Sequence, residues 1–308
     1  MESIQKLLEE FVEDLKKEGR SSSTVVAYKN DLIQFFDYLA KAGKTDPTQV
    51  TRDDILQYMG YLEKQKNFEY RTVARKMNSI KSFFRFLQKK GVIDYYSSPM
   101  LGIKIPAPQD DDIRYLTKME YLALKEATRV DPRVHVIFET LVQTGLRVGE
   151  LVRLRLEDVK RTSKGNMYFE IRPYGNQPKR LVPIPKELEK LLEDYIKEYR
   201  PKVKEEEDSG YLFITRTGKP IAIRNVRSML KRVMDELGIK DVTINDLRNT
   251  FIIYALKRGI DPLSVARVVG HKRLSSTERY LRFIEAQKKQ EESSGSDQTS
   301  QQASQPTD

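Results

Sequence analysis

The sequence predicts a mainly α-helical protein with a small antiparallel β-sheet in the second of two domains. Three observations support this fold class. Apolar residues recur every three or four positions along most of the 308 residues, as the buried face of a helix requires. Strict alternation of apolar and polar residues is confined to a short stretch near 167–184. A stretch rich in proline and aspartate near 99–112 divides the chain, whose length suits two domains.

The first domain, residues 1–100, is predicted to contain four helices, because four apolar faces follow one another at helical spacing. The second and third helices begin near Ser22 and Thr51, residues that cap helix N-termini well. The four faces consist of Ile4, Leu7, Leu8, Phe11 and Leu15; Val25, Tyr28, Leu32, Phe35 and Leu39; Ile55, Tyr58, Met59 and Leu62; and Val73, Met77, Ile80, Phe84 and Leu87.

The fourth helix combines an apolar face with a cationic one. Between Tyr70 and Lys90 the chain has seven basic residues and no acidic residue. A solvated helix normally mixes both signs, so this face suggests a surface that binds phosphates, although a soluble basic face is the alternative. The residues predicted to bind DNA are Arg71, Arg75, Lys76, Lys81, Arg85 and Lys89.

The second domain, residues 115–287, follows a predicted linker at 101–114. Helices are expected at 118–128, 132–144, from about 147, at 186–199 and at 223–237, and strands at 167–171, 181–184 and 211–215. Pro173 to Pro178 form the turn of a hairpin, and His135 is expected to be packed or on the surface rather than catalytic. The polar tail at 288–308 is predicted to be disordered.

The segment from Asn245 to Tyr280 is predicted to form three short helices separated by Gly259 and Gly270. Asp261 can cap the middle helix with Pro262 at its first position, and Ser275 with Glu278 resembles a capping box for the last helix. His271 then leaves a helix end, and Tyr280 lies within the first two turns of the next helix. Taken singly, a surface arginine, a loop histidine and a packed tyrosine would explain the polar residues of this segment.

Their combination resembles the C-terminal signature of the tyrosine recombinase family, the phage integrases and Xer-type recombinases. The signature consists of Asp246-Leu247-Arg248, then Gly270-His271, then Tyr280 nine residues after the histidine. Upstream, the stretch from Thr144 to Leu151 resembles the first-arginine motif of the family, and Arg180 to Pro183 resemble the second strand of its catalytic hairpin. The resemblance extends to about Phe283.

The resemblance implies an N-terminal four-helix core-binding, SAM-like domain and a catalytic domain that together clamp duplex DNA. It implies that Tyr280 attacks the scissile phosphate to give a 3′-phosphotyrosyl enzyme, and that strand exchange needs neither ATP nor a metal ion. Arg147 and Arg248 would bind the phosphate, His271 would donate a hydrogen bond to it, and Glu150 would support the arginines. Forked guanidinium hydrogen bonds suit non-bridging phosphate oxygens. The substrate would be a recombination site with inverted repeats, bound by a homotetramer, with an accessory protein as a further candidate partner.

The sequence departs from the family pattern in two regions, around the second arginine and in the hairpin. Asn245 stands where a histidine usually precedes the second arginine, and an amide can donate a hydrogen bond but cannot take up a proton. Asn249 likewise follows that arginine, where histidine is frequent. The hairpin lacks a lysine at the usual place, so Lys179 is the candidate for it, with a solvent-facing strand residue as the equal alternative.

Composition supports a nucleic-acid partner. Lysine and arginine number 55 against 45 acidic residues, a formal net charge of +10 that favours polyanions. The absence of cysteine excludes thiol chemistry, and two histidines make a zinc site improbable, so no metal and no cofactor are expected. No signal peptide and no membrane-length apolar run is recognised, which predicts a soluble, cytoplasmic protein.

The leading functional prediction is a site-specific DNA recombinase that acts in Xer-like dimer resolution or in integration and excision of mobile elements. Two alternatives remain. Asn245 and the missing hairpin lysine are compatible with a catalytically weakened DNA-binding protein on the same scaffold. A topoisomerase-like enzyme that nicks and closes single duplexes would use half of the same reaction.

Overall fold

The computed structural model describes residues 4–105, 113–174 and 177–302, without the side chains of Gln65 and of residues 291–302. Residues 106–112, half of the predicted linker, and Gly175 and Asn176 of the predicted hairpin turn lie outside the described residues. The chain divides into two compact units, residues 1–109 and 110–308.

The first unit is built from helices, as predicted. Across residues 4–105, the α-helices are α1 (Ile4–Lys17), α2 (Ser22–Lys41), α3 (Arg52–Gly60) and α4 (Tyr70–Lys89). The ring of Phe83 is fully buried and packs edge-on against Phe11 of α1 at 5.5 Å and Phe36 of α2 at 5.4 Å between ring centroids. Edge-to-face ring pairs add stability beyond that of the area they bury. Because Phe83 makes one such pair with α1 and one with α2, α4 is the helix around which this unit packs.

A buried ionic network connects α2 to α4. Asp31 is 2% exposed and accepts hydrogen bonds from Lys76 Nζ at 3.1 Å and from Ser79 Oγ at 2.8 Å, and it also pairs with Arg75. Lys76, which the sequence predicts to bind DNA, is 3% exposed, so its side chain is directed into this network rather than to the surface. A buried carboxylate is costly unless paired, and Lys76 serves as that partner.

The second unit is mixed. Its α-helices in the described part of the chain are α5 (Lys118–Thr128), α6 (Pro132–Thr144), α7 (Val148–Leu151), α8 (Lys186–Asp194), α9 (Ile223–Glu236), α10 (Ile244–Lys257), α11 (Pro262–Val269) and α12 (Ser275–Gln302). Its strands there are β1 (Val159–Arg161), β2 (Met167–Ile171) and β3 (Arg180–Pro183). His135 on α6 is buried, with Nδ1 at 2.9 Å from Thr128 Oγ1, which confirms that it is a packed residue.

The described strands form one antiparallel sheet in the order β1-β2-β3. Phe169 pairs with Val182 and Ile171 with Arg180, so the buried face of β2 lies beside the buried face of β3. Strand β1 was not predicted, because three residues are too few to show alternation. The predicted strand at 211–215 is wrong: only isolated bridges at Tyr211 and Ile214 occur there, although the segment is apolar and largely buried.

The predicted helix boundaries near the C-terminus are largely confirmed. Asp261 caps α11 by accepting from the Ser264 N–H at 2.8 Å, and Gly270 ends α11 with φ +72°. If Ser275 were the N-cap, α12 would begin at residue 276. The helix instead begins at Ser275 itself. This helix continues to Gln302, into the segment for which the sequence predicts disorder. Glutamate, glutamine and lysine, which favour helices, extend the turns that begin at Ser275.

Candidate active site

Two arginines that are far apart in sequence meet at the C-terminal end of α11. Arg248 Nη2 and Arg147 Nη1 donate to the same carbonyl oxygen, that of Val269, at 2.6 and 3.4 Å. Arg147 Nη2 donates to the Gly270 carbonyl at 3.4 Å. The last carbonyls of a helix lack intrahelical partners and carry partial negative charge, so they attract guanidinium groups. The two arginines predicted to bind phosphate therefore lie side by side.

Arg248 is the more buried of the two, with 9% of its surface exposed. It also donates to the Gly145 carbonyl at 2.6 Å, so its guanidinium is held by carbonyl oxygens rather than by a carboxylate. Burial, and then the positive charge of Arg147, lowers the pKa of Arg248 to about 9. Such a group is stabilised when an anion binds beside it.

Gly145 must be glycine for two reasons. Its φ of +64° is left-handed, and a Cβ there would lie 2.5 Å from Phe251 Cδ1. The turn at Gly145 directs its carbonyl to Arg248 and places Arg147 two residues later beside α11.

Glu150 is the carboxylate of this cluster and is 6% exposed. Arg180 of β3 binds it through two parallel hydrogen bonds of 2.9 and 2.8 Å, and Arg147 Nη1 lies 3.2 Å from its Oε1. Burial alone would raise the pKa of Glu150, but the bonds from Arg180 and the charges of Arg180 and Arg147 outweigh burial and lower it. Arg180 Nε also donates to the Val268 carbonyl at 2.9 Å, so the hairpin is tied to α11.

The charge of this cluster is unbalanced. The cluster has three positive charges, from Arg147, Arg180 and Arg248, and one negative charge, from Glu150. A partly buried site with this excess favours an anion with two negative oxygens, because guanidinium groups form strong, charge-assisted bonds to phosphate.

His271 follows α11 directly and has its Nδ1 at 2.7 Å from the hydroxyl of Thr277, which is fully buried. This contact fixes the ring and leaves Nε2 as the atom available to a ligand. Burial, together with the charges of Arg248 and Arg147, lowers the pKa of His271 to about 4. The imidazole is therefore neutral at pH 7, and in the tautomer whose Nδ1 accepts from the Thr277 hydroxyl, its Nε2–H can donate to a phosphate oxygen.

Tyr280 of α12 lies next to this histidine. Its ring stacks on the His271 ring with 6.3 Å between centroids and 19° between planes. The residue is 8% exposed, and its hydroxyl donates to Asn249 Oδ1 at 2.8 Å. Burial raises the pKa of the Tyr280 hydroxyl, and the opposing charges of Arg279 and Arg248 offset only part of that effect.

The remaining predicted residues lie apart from the arginine cluster or at its edge. Asn245 is exposed in the first turn of α10, one turn before Arg248. Lys179 Nζ pairs with Glu170 Oε2 of β2 at 2.8 Å, so the structure directs it toward a strand carboxylate. Glu170 and Glu150 line the same cavity of about 170 Å³, so the carboxylate that Lys179 binds faces the cavity beside the cluster.

Sequence reasoning missed three residues that shape this site. Arg180 was seen only as part of a strand, Thr277 was not singled out, and Asn249 was noted only as an unusual residue. Arg180 lies in a strand next to the buried residues Val182 and Phe169. A charged residue among buried neighbours needs an oppositely charged or hydrogen-bonding partner, and this could have indicated the contact with Glu150.

The candidate DNA surface of the first unit is a groove of about 600 Å³ along α4. Arg71, Arg75, Lys81 and Arg85 are exposed there, and Arg75 also pairs with Asp31. Lys89 is exposed but lies 2.9 Å from Asp14. The groove is lined by Arg20, Tyr28, Tyr70, Arg71, Ala74, Arg75, Asn78, Lys81, Ser82 and Arg85.

We expect the half-buried, neutral His271 to make stability depend on pH. In the unfolded chain the residue has its ordinary pKa of 6.5, whereas in the folded protein the pKa is about 4. Between these values the unfolded state binds more protons, so the free energy of unfolding falls as the pH falls through this window. The free energy of unfolding can be measured with urea at about pH 7 and at about pH 5. Its decrease between these two pH values should be smaller by roughly 1 kcal/mol in His271→Gln than in the wild type, allowing for partial exposure of the ring. An equal decrease in both proteins would contradict the neutral assignment.

Comparison with known proteins places the chain in a family. Residues 114–286 match the phage integrase family, and residues 8–91 match the phage integrase N-terminal SAM-like domain. The chain belongs to the phage integrase family, and its relatives are tyrosine recombinases. The predicted family and fold class are thereby confirmed.

Two curated relatives illustrate the similarity. Tyrosine recombinase XerD of Listeria monocytogenes is 32% identical over 287 residues, covering 89% of this chain and 93% of the relative. Tyrosine recombinase XerC of Oceanobacillus iheyensis is 31% identical over 288 residues, covering 91% and 92%.

Among solved structures, the XerH recombinase in a post-cleavage complex with a palindromic difH substrate superposes with a TM-score of 0.71. Its identity is 18%, and the match covers 87% of this chain and 79% of that one, which shows a shared fold. Within residues 4–105, 113–174 and 177–302, no helix combines the length and apolar character needed to span a bilayer.

Proposed function

We propose that this tyrosine recombinase cleaves and rejoins duplex DNA at a specific site through a 3′-phosphotyrosyl intermediate, without metal or ATP. The observation that carries the proposal is the convergence of Arg147 and Arg248 on the Val269 carbonyl, next to the stacked rings of His271 and Tyr280. This arrangement combines an anion-binding pair, a neutral hydrogen-bond donor and an oxygen nucleophile within one site.

The covalent step would proceed as follows. The Tyr280 oxygen forms a bond to phosphorus while the bond from phosphorus to the 5′ oxygen breaks. The phenol loses its proton to water, and the 5′ oxygen takes up a proton and leaves as a hydroxyl. Arg147 and Arg248 would neutralise charge on the non-bridging oxygens, with His271 Nε2–H as a third donor. Rejoining is the reverse reaction with a new 5′ hydroxyl, so the phosphodiester energy is conserved.

Lys179 is the candidate acid for the leaving 5′ oxygen. Its ammonium pairs with Glu170 at 2.8 Å, so it would have to leave that carboxylate to reach DNA. The long lysine side chain can make such a move without a change in the backbone. Asn245 would act as a hydrogen-bond donor to the phosphate, since an amide cannot serve as a base.

The proposed substrate is duplex DNA with inverted repeats, bound by a homotetramer with an accessory protein that biases direction. The Xer names of the relatives support a Xer-like role in dimer resolution. Integration and excision of mobile elements is the second biological role that a site-specific recombinase could have. The palindromic substrate of the XerH complex supports inverted repeats as the form of the site.

The decisive test is strand exchange between two duplexes of different length. The target is found first by incubating the protein with nicked genomic fragments, denaturing, and sequencing the DNA that stays attached to protein. Recombinant products formed from that sequence in the presence of a chelator and without ATP would support the proposal. Relaxation of a supercoiled plasmid with no exchange would indicate a nicking-closing enzyme, and specific binding with no adduct would indicate a DNA-binding protein.

The α4 groove should bind the DNA backbone. We expect Lys81→Glu with Arg85→Glu to weaken DNA binding and to reduce the slope of log affinity against log salt by about 1 for each phosphate that the protein no longer neutralises. Both residues are exposed and line the groove, so folding should be little affected.

Lys41→Glu on α2 is the control for charge reversal, because Lys41 is exposed and is not among the residues that line the groove. Fluorescence anisotropy over a salt series measures both effects. An unchanged slope in the double variant would show that this groove does not contact phosphates.

A further inference from the structure

The hydroxyl of the candidate nucleophile has a specific partner in this structure. Tyr280 Oη donates to Asn249 Oδ1 at 2.8 Å, and Tyr280 is 8% exposed. The residues lie on different helices, α12 and α10, so the bond joins the nucleophile to the helix that carries Arg248. Asn249 has no role in the proposed cleavage mechanism.

The orientation of the Asn249 amide is fixed by its other contacts. Its Nδ2 donates to the Arg114 carbonyl at 3.0 Å and to Asp246 Oδ1 at 2.9 Å. The Arg114 carbonyl can only accept a hydrogen bond, and the Asp246 carboxylate acts as an acceptor in a capping box, where its other oxygen accepts from the Thr243 N–H at 2.7 Å. A flipped amide would place two acceptors against Oδ1, so the oxygen must face Tyr280.

This geometry has a chemical consequence. An amide oxygen accepts a hydrogen bond but does not take up a proton at neutral pH. While the bond is in place, the phenol keeps its proton and its hydroxyl is engaged with the protein rather than with a phosphate. Burial, which raises the pKa of Tyr280, acts in the same direction.

We propose that Asn249 is a positioning residue that holds the Tyr280 hydroxyl in a resting, protonated arrangement, and that this bond must break before Tyr280 attacks DNA. The inference rests on the proposed function for its catalytic meaning. The contact itself is a property of the DNA-free protein and can be tested without any substrate.

The first experiment measures how fast the covalent adduct forms on a nicked duplex that traps the intermediate. We expect Asn249→Ala to form the adduct about threefold to tenfold faster than the wild type, as the loss of one hydrogen bond in the ground state predicts. Asn249→His replaces the amide by an imidazole whose ring nitrogen can take up the phenol proton, so this variant should also be faster. Asn225→Ala removes an exposed asparagine from α9 and should leave the rate unchanged.

The second experiment observes the hydroxyl directly. With 3-fluorotyrosine introduced only at position 280, the fluorine resonance of the DNA-free protein reports the surroundings of the ring. We expect Asn249→Ala to move this resonance and to increase its broadening by a soluble paramagnetic agent at least about twofold, whereas Asn225→Ala does neither. A ring that is released from a fixed partner becomes more mobile and more accessible to the agent.

Slower or unchanged adduct formation in both Asn249 variants would overturn the proposal, and so would a fluorine resonance that does not respond to Asn249→Ala. Circular dichroism and DNA affinity separate these results from misfolding, and the His variant keeps the test valid if the Ala variant does not fold. If the wild type forms no adduct, the proposed function fails, and the fluorine measurement alone decides whether Asn249 holds the hydroxyl.

Discussion

Tyr280→Phe should abolish the covalent protein–DNA adduct and leave DNA binding nearly intact. Phenylalanine keeps the ring that stacks on His271 but has no oxygen to attack phosphorus. Loss of a nucleophile in a covalent mechanism removes most of the rate, so we expect a decrease of at least about a thousandfold. The measurement is single-turnover adduct formation on a nicked duplex, separated in a denaturing gel.

The control is Tyr254→Phe, a partly buried tyrosine on α10 whose hydroxyl has no role in the proposed step. It should form the adduct at the wild-type rate. Because Tyr280→Phe loses one hydrogen bond, to Asn249, its stability should fall by only about 1 kcal/mol. Adduct at the wild-type level in Tyr280→Phe would remove Tyr280 from the role of nucleophile.

Glu150→Gln should have the largest effect on stability. Glutamine has the same shape but no charge, so Arg180 and Arg147 lose the carboxylate that both contact. Removing one partner of a buried ion pair leaves an uncompensated charge and costs roughly 3–5 kcal/mol. Urea unfolding measures the loss. Cleavage should also slow, because Arg180 keeps its bond to the Val268 carbonyl but loses the carboxylate that connects it to Arg147.

Glu157→Gln provides the matched comparison, since Glu157 pairs with Arg172 but its side chain is 66% exposed. An exposed pair contributes about 0.2–1 kcal/mol, so this variant should unfold at nearly the same urea concentration as the wild type. An equal loss of unfolding free energy in the two variants would show that the buried Glu150 ion pair stabilises the fold no more than a surface ion pair does.

Most helices, the β2–β3 hairpin and the site motifs could be predicted from the sequence because these depend on local pattern. Gly270 and Pro262 define the ends of α11 whatever surrounds them, and the motif spacing places His271 and Tyr280 around that helix end. The spacing of the apolar residues likewise predicted the buried face of α4.

Contacts between distant residues could not be predicted in this way. Arg180 reaches the Val268 carbonyl across 88 positions, and Lys76 reaches Asp31 across 45. Helical spacing places Lys76 at the edge of the α4 core, and only the position of α2 decides whether that edge meets water or a carboxylate. Asn249 stood out in the sequence because histidine is frequent at its position in the family. Its bond to Tyr280, however, depends on how α10 packs on α12.

The arginines gathered at the end of α11 have a thermodynamic consequence for the protein before it meets DNA. Folding already gathers three guanidinium groups in a cluster that contains one carboxylate, so their mutual repulsion is part of the native state rather than of the binding step. A bound phosphate would relieve that repulsion. Binding and folding are thereby linked: the same excess of charge that weakens the empty protein gives it affinity for a polyanion, and DNA should act as a stabiliser of the fold.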